Sequence, residues 1–321
     1  MALAAGVSQS TVARVYARPN LVSADTRAKV RHAAESIGYV PSAIAGGMRK
    51  QKSGLIGVVV PATGEYWQGV ISEFARQVGD SGRQLLVTSF RDAGGVNTAI
   101  QSISRYRLDG LVLASSAIGV AQIARLSGST TPVIAFNQPA ATGTAPTVAV
   151  DNKSGSATIA EHLLQVGVRS AAFVGGVAAA STDQLRYRGA SETFNERGVL
   201  CPYVEAGAFS YEAGFKLGAS AVRWERLPDA IMASADELAF GVLDGLRMCG
   251  CRVPNDVLVT GFDGLPQSAW EGYRLTTLVQ PIEQLVKEAL VYLTDPVGLP
   301  AIVVDGALRI GGTTSKEAPH G

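Results

Sequence analysis

Leu55-Ile-Gly-Val-Val-Val60 is an unbroken apolar run rich in β-branched residues, bounded by Ser53-Gly54 on one side and Pro61 on the other. A run this short and this apolar reads as a strand buried on both faces, the kind found in parallel sheets covered by helices. Beyond it, Val70–Gly79 carries helical amphipathic spacing and Gln84–Thr88 is apolar again. The same strand reading recurs at Gly110–Ala114, Val133–Phe136, Ala171–Val174, Ala230–Ala233 and Val257–Gly261, with further helical stretches at Ala157–Gln165 and Glu237–Met248. Alternation of this kind predicts an α/β fold with doubly wound parallel sheets. The series is too long for one sheet and divides near Val148–Asn152, which predicts two lobes facing each other across a cleft. Later strands around Leu278–Gln280 cross back.

In open parallel sheets, ligands sit outside the carboxyl ends of the strands. The residues just past those ends are Ser115 and Ser116 after Leu-Val-Leu-Ala, Asn137 after Ile-Ala-Phe, and Asp263 after Val-Thr-Gly-Phe. Arg186 lies in a stretch that opens a helix, and Phe209 precedes the helix at Tyr211. A carboxylate, an amide and a guanidinium with an aromatic face suit a polyol: each polar group takes adjacent hydroxyls while the ring stacks on C–H. Each residue also has a plain structural reading, Asp263 and Asn137 as turn formers, Arg186 as a solvated charge and Phe209 as core. His32 and His162 read as surface helix residues. No His, Cys or acidic spacing calls for a metal.

Outward toward the N-terminus the character changes. Net charge is +1 over 321 residues, but residues 1–53 hold eight Lys/Arg against Asp25 and Glu35, a net +6 that leaves −5 on the rest. A basic head on a mildly acidic body implies a polyanionic partner for the head. Met1–Ala5 reads as a short helical segment ended by Gly6, Ser8 as the N-cap of a helix over Gln9–Ala17, and Ser23 as the cap of a helix over Thr26–Ile37. Val12 and Val15 face inward in the first of these, and Ala28, Val30, Ala33, Ala34 and Ile37 form the buried stripe of the second, ended by Gly38. Two short helices joined by a turn, with a third packed behind, describe a helix-turn-helix, although any small three-helix bundle fits the same pattern. Gln9 and Arg14 at the start of a helix have the chemistry to make paired hydrogen bonds to base edges. Residues 41–53 form a Pro-led, basic connector, weakened as a helix by Gly46 and Gly47, that orders only when something offsets its entropy.

Ala5-Gly-Val-Ser-Gln-Ser-Thr-Val-Ala-Arg14, Val22-Ser-Ala-Asp-Thr-Arg27 and Ile37-Gly-Tyr-Val-Pro41 resemble the head of the LacI/GalR family of bacterial transcriptional repressors. The likeness continues through Ile56–Pro61, Asp109–Leu113, Val150-Asp-Asn152, Glu161–Leu164, Phe173–Gly176, Gly261-Phe-Asp263 and Leu275–Thr277, nearly the whole chain in order. The resemblance implies an all-α helix-turn-helix head at 1–40 and a hinge at 41–53, followed by a periplasmic-binding-protein-like body. In that body, 54–149 plus about 281–305 form one lobe and 150–280 plus about 306–314 the other. It implies that Gln9, Ser10 and Arg14 read bases, that Ser8 and Thr11 touch phosphates, and that Met48, beside Arg49, wedges into a minor-groove step. It places Asn137, Arg186, Phe209, Asp263 and Gln280 in an effector pocket, together with Ser115, and puts Tyr66 or Trp67 at the mouth. The chain departs from the family at Ala13 (usually Ser), Ser42 (Asn), Gly46 (Arg) and Ala235 (Asn), and begins inside the family's usual first helix.

The expected function is a dimeric regulator, most simply a repressor, of a near-palindromic double-stranded operator, controlled by a sugar, sugar acid or related polyol, or by a purine nucleobase. The alternative is a solute-binding protein of a transporter with a non-functional head. The basic head opposes it, as does the lack of an export signal, which points to the cytoplasm. An enzyme is not expected: there is no G-x-G-x-x-G after the first strand and no G-x-x-x-x-G-K-[ST] loop, so neither dinucleotide nor ATP is implied as a cofactor. No apolar run reaches the roughly 20 residues that span a bilayer, and Cys201, Cys249 and Cys251 suit a reducing compartment.

Overall fold

The computed structural model describes residues 1–39, 52–92, 94–114, 131–138, 145–220 and 226–315. Met48, Arg49, Ser115 and most of the hinge lie outside the described residues. In the head, α1 is Gln9–Ala17, and Ser8 caps it by accepting the Thr11 N–H at 3.1 Å. A 3-10 turn at Pro19–Leu21 leads to α2 (Ala24–Ser36), where Ser23 accepts the Thr26 N–H. Val12, Val15 and Val30 form the small core between them.

Three expectations for the head change. Met1–Ala5 makes a single turn closed by Ala5 N–H on the Met1 carbonyl, with no helix. The cap at Ser23 starts α2 at Ala24 rather than Thr26, and the stripe narrows to Val30, Ala33 and Ala34. Ala28 is exposed, and Ile37, 50% exposed, falls beyond the last helical residue, with Gly38 at φ +62° turning the chain away.

The body holds two six-stranded sheets. The first runs β11-β5-β4-β3-β1-β2, where β1 is Leu55–Pro61, β2 Gln84–Phe90, β3 Gly110–Ala114, β4 Val133–Phe136, β5 Thr147–Val150 and β11 Ala301–Val304, every pair parallel. Helices α3 (Glu65–Asp80), α4 (Gly95–Ile103) and α9 (Ile282–Thr294) accompany it. The second runs β12-β10-β9-β8-β6-β7, where β6 is Ala171–Gly175, β7 Tyr203–Glu205, β8 Ala230–Ala233, β9 Leu258–Asp263, β10 Thr276–Val279 and β12 Ala307–Arg309, parallel except for β12. Its helices are α5 (Asn152–Gln165), α6 (Ser181–Asn195), α7 (Tyr211–Ala219) and α8 (Asp236–Met248). The chain passes between the sheets after β5, after β10 and after β11.

Val58, Val59, Val60, Val112 and Leu113 are fully buried, as strands covered on both faces require. Each such side chain contributes about 1.5–3 kcal/mol on leaving water. One apolar cluster runs from Val58, Phe74 and Phe136 to Ile231, Leu238 and Leu243, and so spans both sheets. Gly214 and Gly218 of α7 face Gly241 and Gly245 of α8 so closely that a Cβ on any of them would strike the other helix. That approach fixes the start of α8, where Asp236 and Glu237 project.

One body expectation is reversed. His162 is buried, not a surface residue, and its Nε2 is hydrogen-bonded to Thr314 Oγ1 at 2.8 Å. Residues 311–314 return along β10, with Thr276 Oγ1 also 2.7 Å from Thr314 Oγ1, and cover this face of α5. Burial lowers the imidazole pKa.

Candidate functional site: a basic helix start and a polar cleft

α1 is built to meet an anion. Its first turn has no acidic residue and its orphan amides carry the positive end of the helix dipole. Ser8, Gln9, Ser10 and Arg14 are exposed while Val12 and Val15 anchor the opposite face, and Thr11 is half-buried. The Ser8 hydroxyl also lies 2.8 Å from Ser10 Oγ and 2.9 Å from Thr11 Oγ1, so the cap gathers three hydroxyls at the helix start.

In the body, Arg186 of α6 is 4% exposed and fully engaged. Its Nε donates to Asn152 Oδ1 at 2.8 Å and its Nη1 to the Ser234 carbonyl at 2.5 Å, with Asp263 Oδ1 at 3.5 Å. The guanidinium lies 3.7 Å from the centroid of the Phe262 ring, a cation–π contact that holds its plane. Gln280 Nε2 donates to Asp263 Oδ1 at 2.7 Å, and Gln280 Oε1 accepts from the Tyr66 hydroxyl at 3.0 Å. Tyr66 belongs to α3, so one hydrogen-bonded chain, Tyr66–Gln280–Asp263–Arg186–Asn152, links the two sheets. Trp67 packs edge-on against Tyr66 at 5.1 Å and is half-buried.

The structure therefore brings Arg186, Asp263 and Gln280 into direct contact, with Trp67 one ring away. Phe209 lies against Gly176, where a Cβ would strike its ring. Asn137 sits at the end of β4 with its N–H on the Val148 carbonyl, and its buried Oδ1 has no partner. No hydrogen bond joins either residue to Arg186 among those described. Asn137 (φ +57°) and Asp263 (φ +127°) both have left-handed backbone, a strain of order 1–3 kcal/mol that concentrates at functional positions. Asn152, Tyr66 and Asp236 complete the network. Asn152 reads from sequence as part of a helix start, and only its buried contact to Arg186 reveals it.

Asp236 opens α8 and is fully buried: Oδ1 accepts from Thr277 Oγ1 at 2.6 Å and Oδ2 from the Leu265 N–H at 2.7 Å. Burial, reinforced by the charge of Asp263, pushes its pKa up to about 7; burial likewise raises Asp263, against the pull of Arg186. An acid whose folded pKa lies above its unfolded value holds its proton better when folded. Its contribution to stability is complete below about pH 4 and is lost as pH rises through 7. Asp236→Asn can keep both contacts, its Oδ1 accepting from Leu265 and its Nδ2 donating to Thr277. Urea unfolding at pH 5 and pH 8 is expected to show a loss on the order of 2 kcal/mol that is greater in the wild type than in Asp236→Asn. His162 slopes the opposite way in both proteins and cancels in the comparison. Equal slopes would mean Asp236 is ionised throughout.

Among the described residues no helix is long and apolar enough to cross a membrane, and no three metal-ligating side chains cluster.

Residues 1–42 match the family described as bacterial regulatory proteins, lacI family, and residues 160–302 match the periplasmic binding protein-like domain. Catabolite control protein A of Priestia megaterium is 26% identical, covering 90% of this chain and 89% of its own. The HTH-type transcriptional repressor CytR of Escherichia coli K12 is also 26% identical, covering 98% and 95%. The fold superposes on the crystal structure of the Lac repressor dimer bound to operator and the anti-inducer ONPF with a TM-score of 0.85, at 22% identity over 98% of this chain and 97% of that one. With both regions matched in order and full-length relatives on either side, the chain belongs to the lacI family of bacterial regulatory proteins and is a DNA-binding transcriptional regulator.

Proposed function

We propose that the chain is a repressor that binds a near-palindromic operator as a dimer and is controlled by a sugar or related polyol held between the two sheets. The reading rests on Tyr66–Gln280–Asp263–Arg186, a polar chain at the carboxyl ends of buried strands that bridges the lobes. Hydroxyls of a polyol replace these contacts in kind, and the unpartnered Oδ1 of Asn137 offers one more acceptor. A ligand with its own carboxylate would set that charge against Asp263 and Asp236, so an uncharged ligand is favoured over a sugar acid. The head at 1–40 reads DNA through Gln9, Ser10 and Arg14 and holds phosphate through Ser8 and Thr11. Met48 and Arg49 of the hinge add minor-groove contacts, and lobe closure sets hinge spacing, so effector and operator affect each other reciprocally. The body divides into 54–149 plus about 281–305 and 150–280 plus about 306–314, and Ser115 belongs with the pocket. The relatives named above are likewise a control protein and a repressor, and the Lac repressor structure holds operator and a small molecule together.

The dimer reading has its own support. Tyr211 and Tyr273 both donate to Asp244 Oδ2 at 3.0 Å, and beside them Trp270 is 58% exposed. A tryptophan left this open marks a surface that expects a partner. Trp270→Asp is expected to yield a monomer by sedimentation and to weaken operator binding by at least about 100-fold, since two linked heads gain that much over one. A stable dimer of Trp270→Asp would move the interface elsewhere.

Selection of bound sequences from a random duplex library tests the function as a whole. Enrichment of a two-fold symmetric site supports the regulator; retention of DNA without sequence preference refutes the operator reading and leaves the transport alternative.

A further inference from the structure

We propose that Glu237 latches the two lobes together, so that the protein without ligand is held closed by its own carboxylate. The first amides of a helix have no acceptor within it and need one from outside. α3 begins at Glu65 behind Gly64, which has no side chain to act as a cap. The acceptor comes from the other lobe: the Glu65 N–H donates to Glu237 Oε1 at 2.5 Å across 172 residues of sequence. Glu237 stands in the first turn of α8, next to Asp236, at a position fixed by the glycine contacts between α7 and α8. The return contact is Gln267 Nε2 donating to Glu65 Oε2 at 3.3 Å, and one residue on, the Tyr66 hydroxyl reaches Gln280. Three bonds from successive residues at the start of one helix therefore cross the cleft. Opening the lobes strips α3 of its cap, and no residue of its own lobe takes over.

The latch is weak by construction. A carboxylate at a helix start is stabilised by the orphan amide and the dipole, but Glu65, Glu212 and Asp263 all place negative charge near Glu237. The closed state is accordingly favoured modestly, which suits a cleft that must open to admit a ligand. Because only the populated open fraction admits ligand, the latch lowers apparent effector affinity by that fraction. It does not depend on which ligand the cleft takes.

Hydrogen exchange resolved to single amides tests the idea on the full-length protein without ligand. In the wild type the Glu65 amide is expected to exchange at least tenfold more slowly than its unprotected rate. In Glu237→Ala that protection is lost while Ile56–Val60 of β1 stay protected, and small-angle scattering reports a larger radius of gyration. Glu237→Gln keeps a neutral acceptor and is expected to fall between. An unprotected Glu65 amide in the wild type overturns the proposal with no variant needed. Lost protection in Glu237→Ala with an unchanged radius also overturns it, reducing the contact to a local cap.

Discussion

Arg186→Met is expected to cost about 3–5 kcal/mol of folding stability and to abolish the response to effector. The stability loss follows from burial: Asp263 is 8% exposed and the guanidinium is the cation beside it, so removing one partner strands a charge in the interior. Asn152 Oδ1 and the Ser234 carbonyl lose their donors as well. Arg186→Met with Asp263→Asn removes the stranded charge and is expected to recover most of the stability, leaving the orphaned acceptors as the residual cost. It should not recover the response, because both polar ends of the proposed ligand contact are gone. Chemical denaturation of the single and double variants measures the first effect, and operator binding over a panel of sugars the second. A double variant that still responds would remove this pair from the effector site.

Arg14→Ala is expected to weaken binding to the selected operator by roughly 10- to 100-fold, the cost of one bidentate base contact, and to relax sequence preference at one position of each half-site. Arg14→Lys keeps the charge but not the fork, so non-specific affinity should hold while discrimination falls. Ser8→Ala acts differently. It removes the α1 cap as well as a phosphate contact, so binding weakens uniformly across sequences while the head loses about 1 kcal/mol. Competition binding with single-base operator variants separates the two, and a Ser8→Ala protein with altered base preference would move that residue into the reading set.

The sheets were legible because their strands are apolar on both faces and punctuated by turn residues. Gly110–Ala114, Val133–Phe136 and Ala230–Ala233 emerge with the bounds the sequence suggests. β7 and β12 have three residues each and lie at sheet edges, partly exposed, so they carry neither a long apolar run nor an alternation to read. His162 was misread for a physical reason: helical periodicity reports what α5 packs on locally and is blind to a segment 152 residues later that covers it. In the cleft, Arg186 and Asp263 are 77 residues apart, so no spacing rule joins them. The residue classes came from strand ends and the grouping from family resemblance, while Asn152, Asp236 and the Glu237 contact needed the fold. In the head, by contrast, the caps at Ser8 and Ser23 are local chemistry, and α1 begins and ends where they predict.

The central claim is coupling between a sequence-specific head and a ligand-filled cleft. It is tested most directly by titrating the selected palindrome and a scrambled duplex with the wild-type dimer, across a salt series and a panel of uncharged sugars and nucleosides. The account predicts a palindrome affinity at least about 1,000-fold above the scramble, a steep loss with salt in both, and one ligand class that shifts the palindrome affinity at least about fivefold. Equal affinity for the two duplexes, or a palindrome affinity that no uncharged ligand moves, would contradict it.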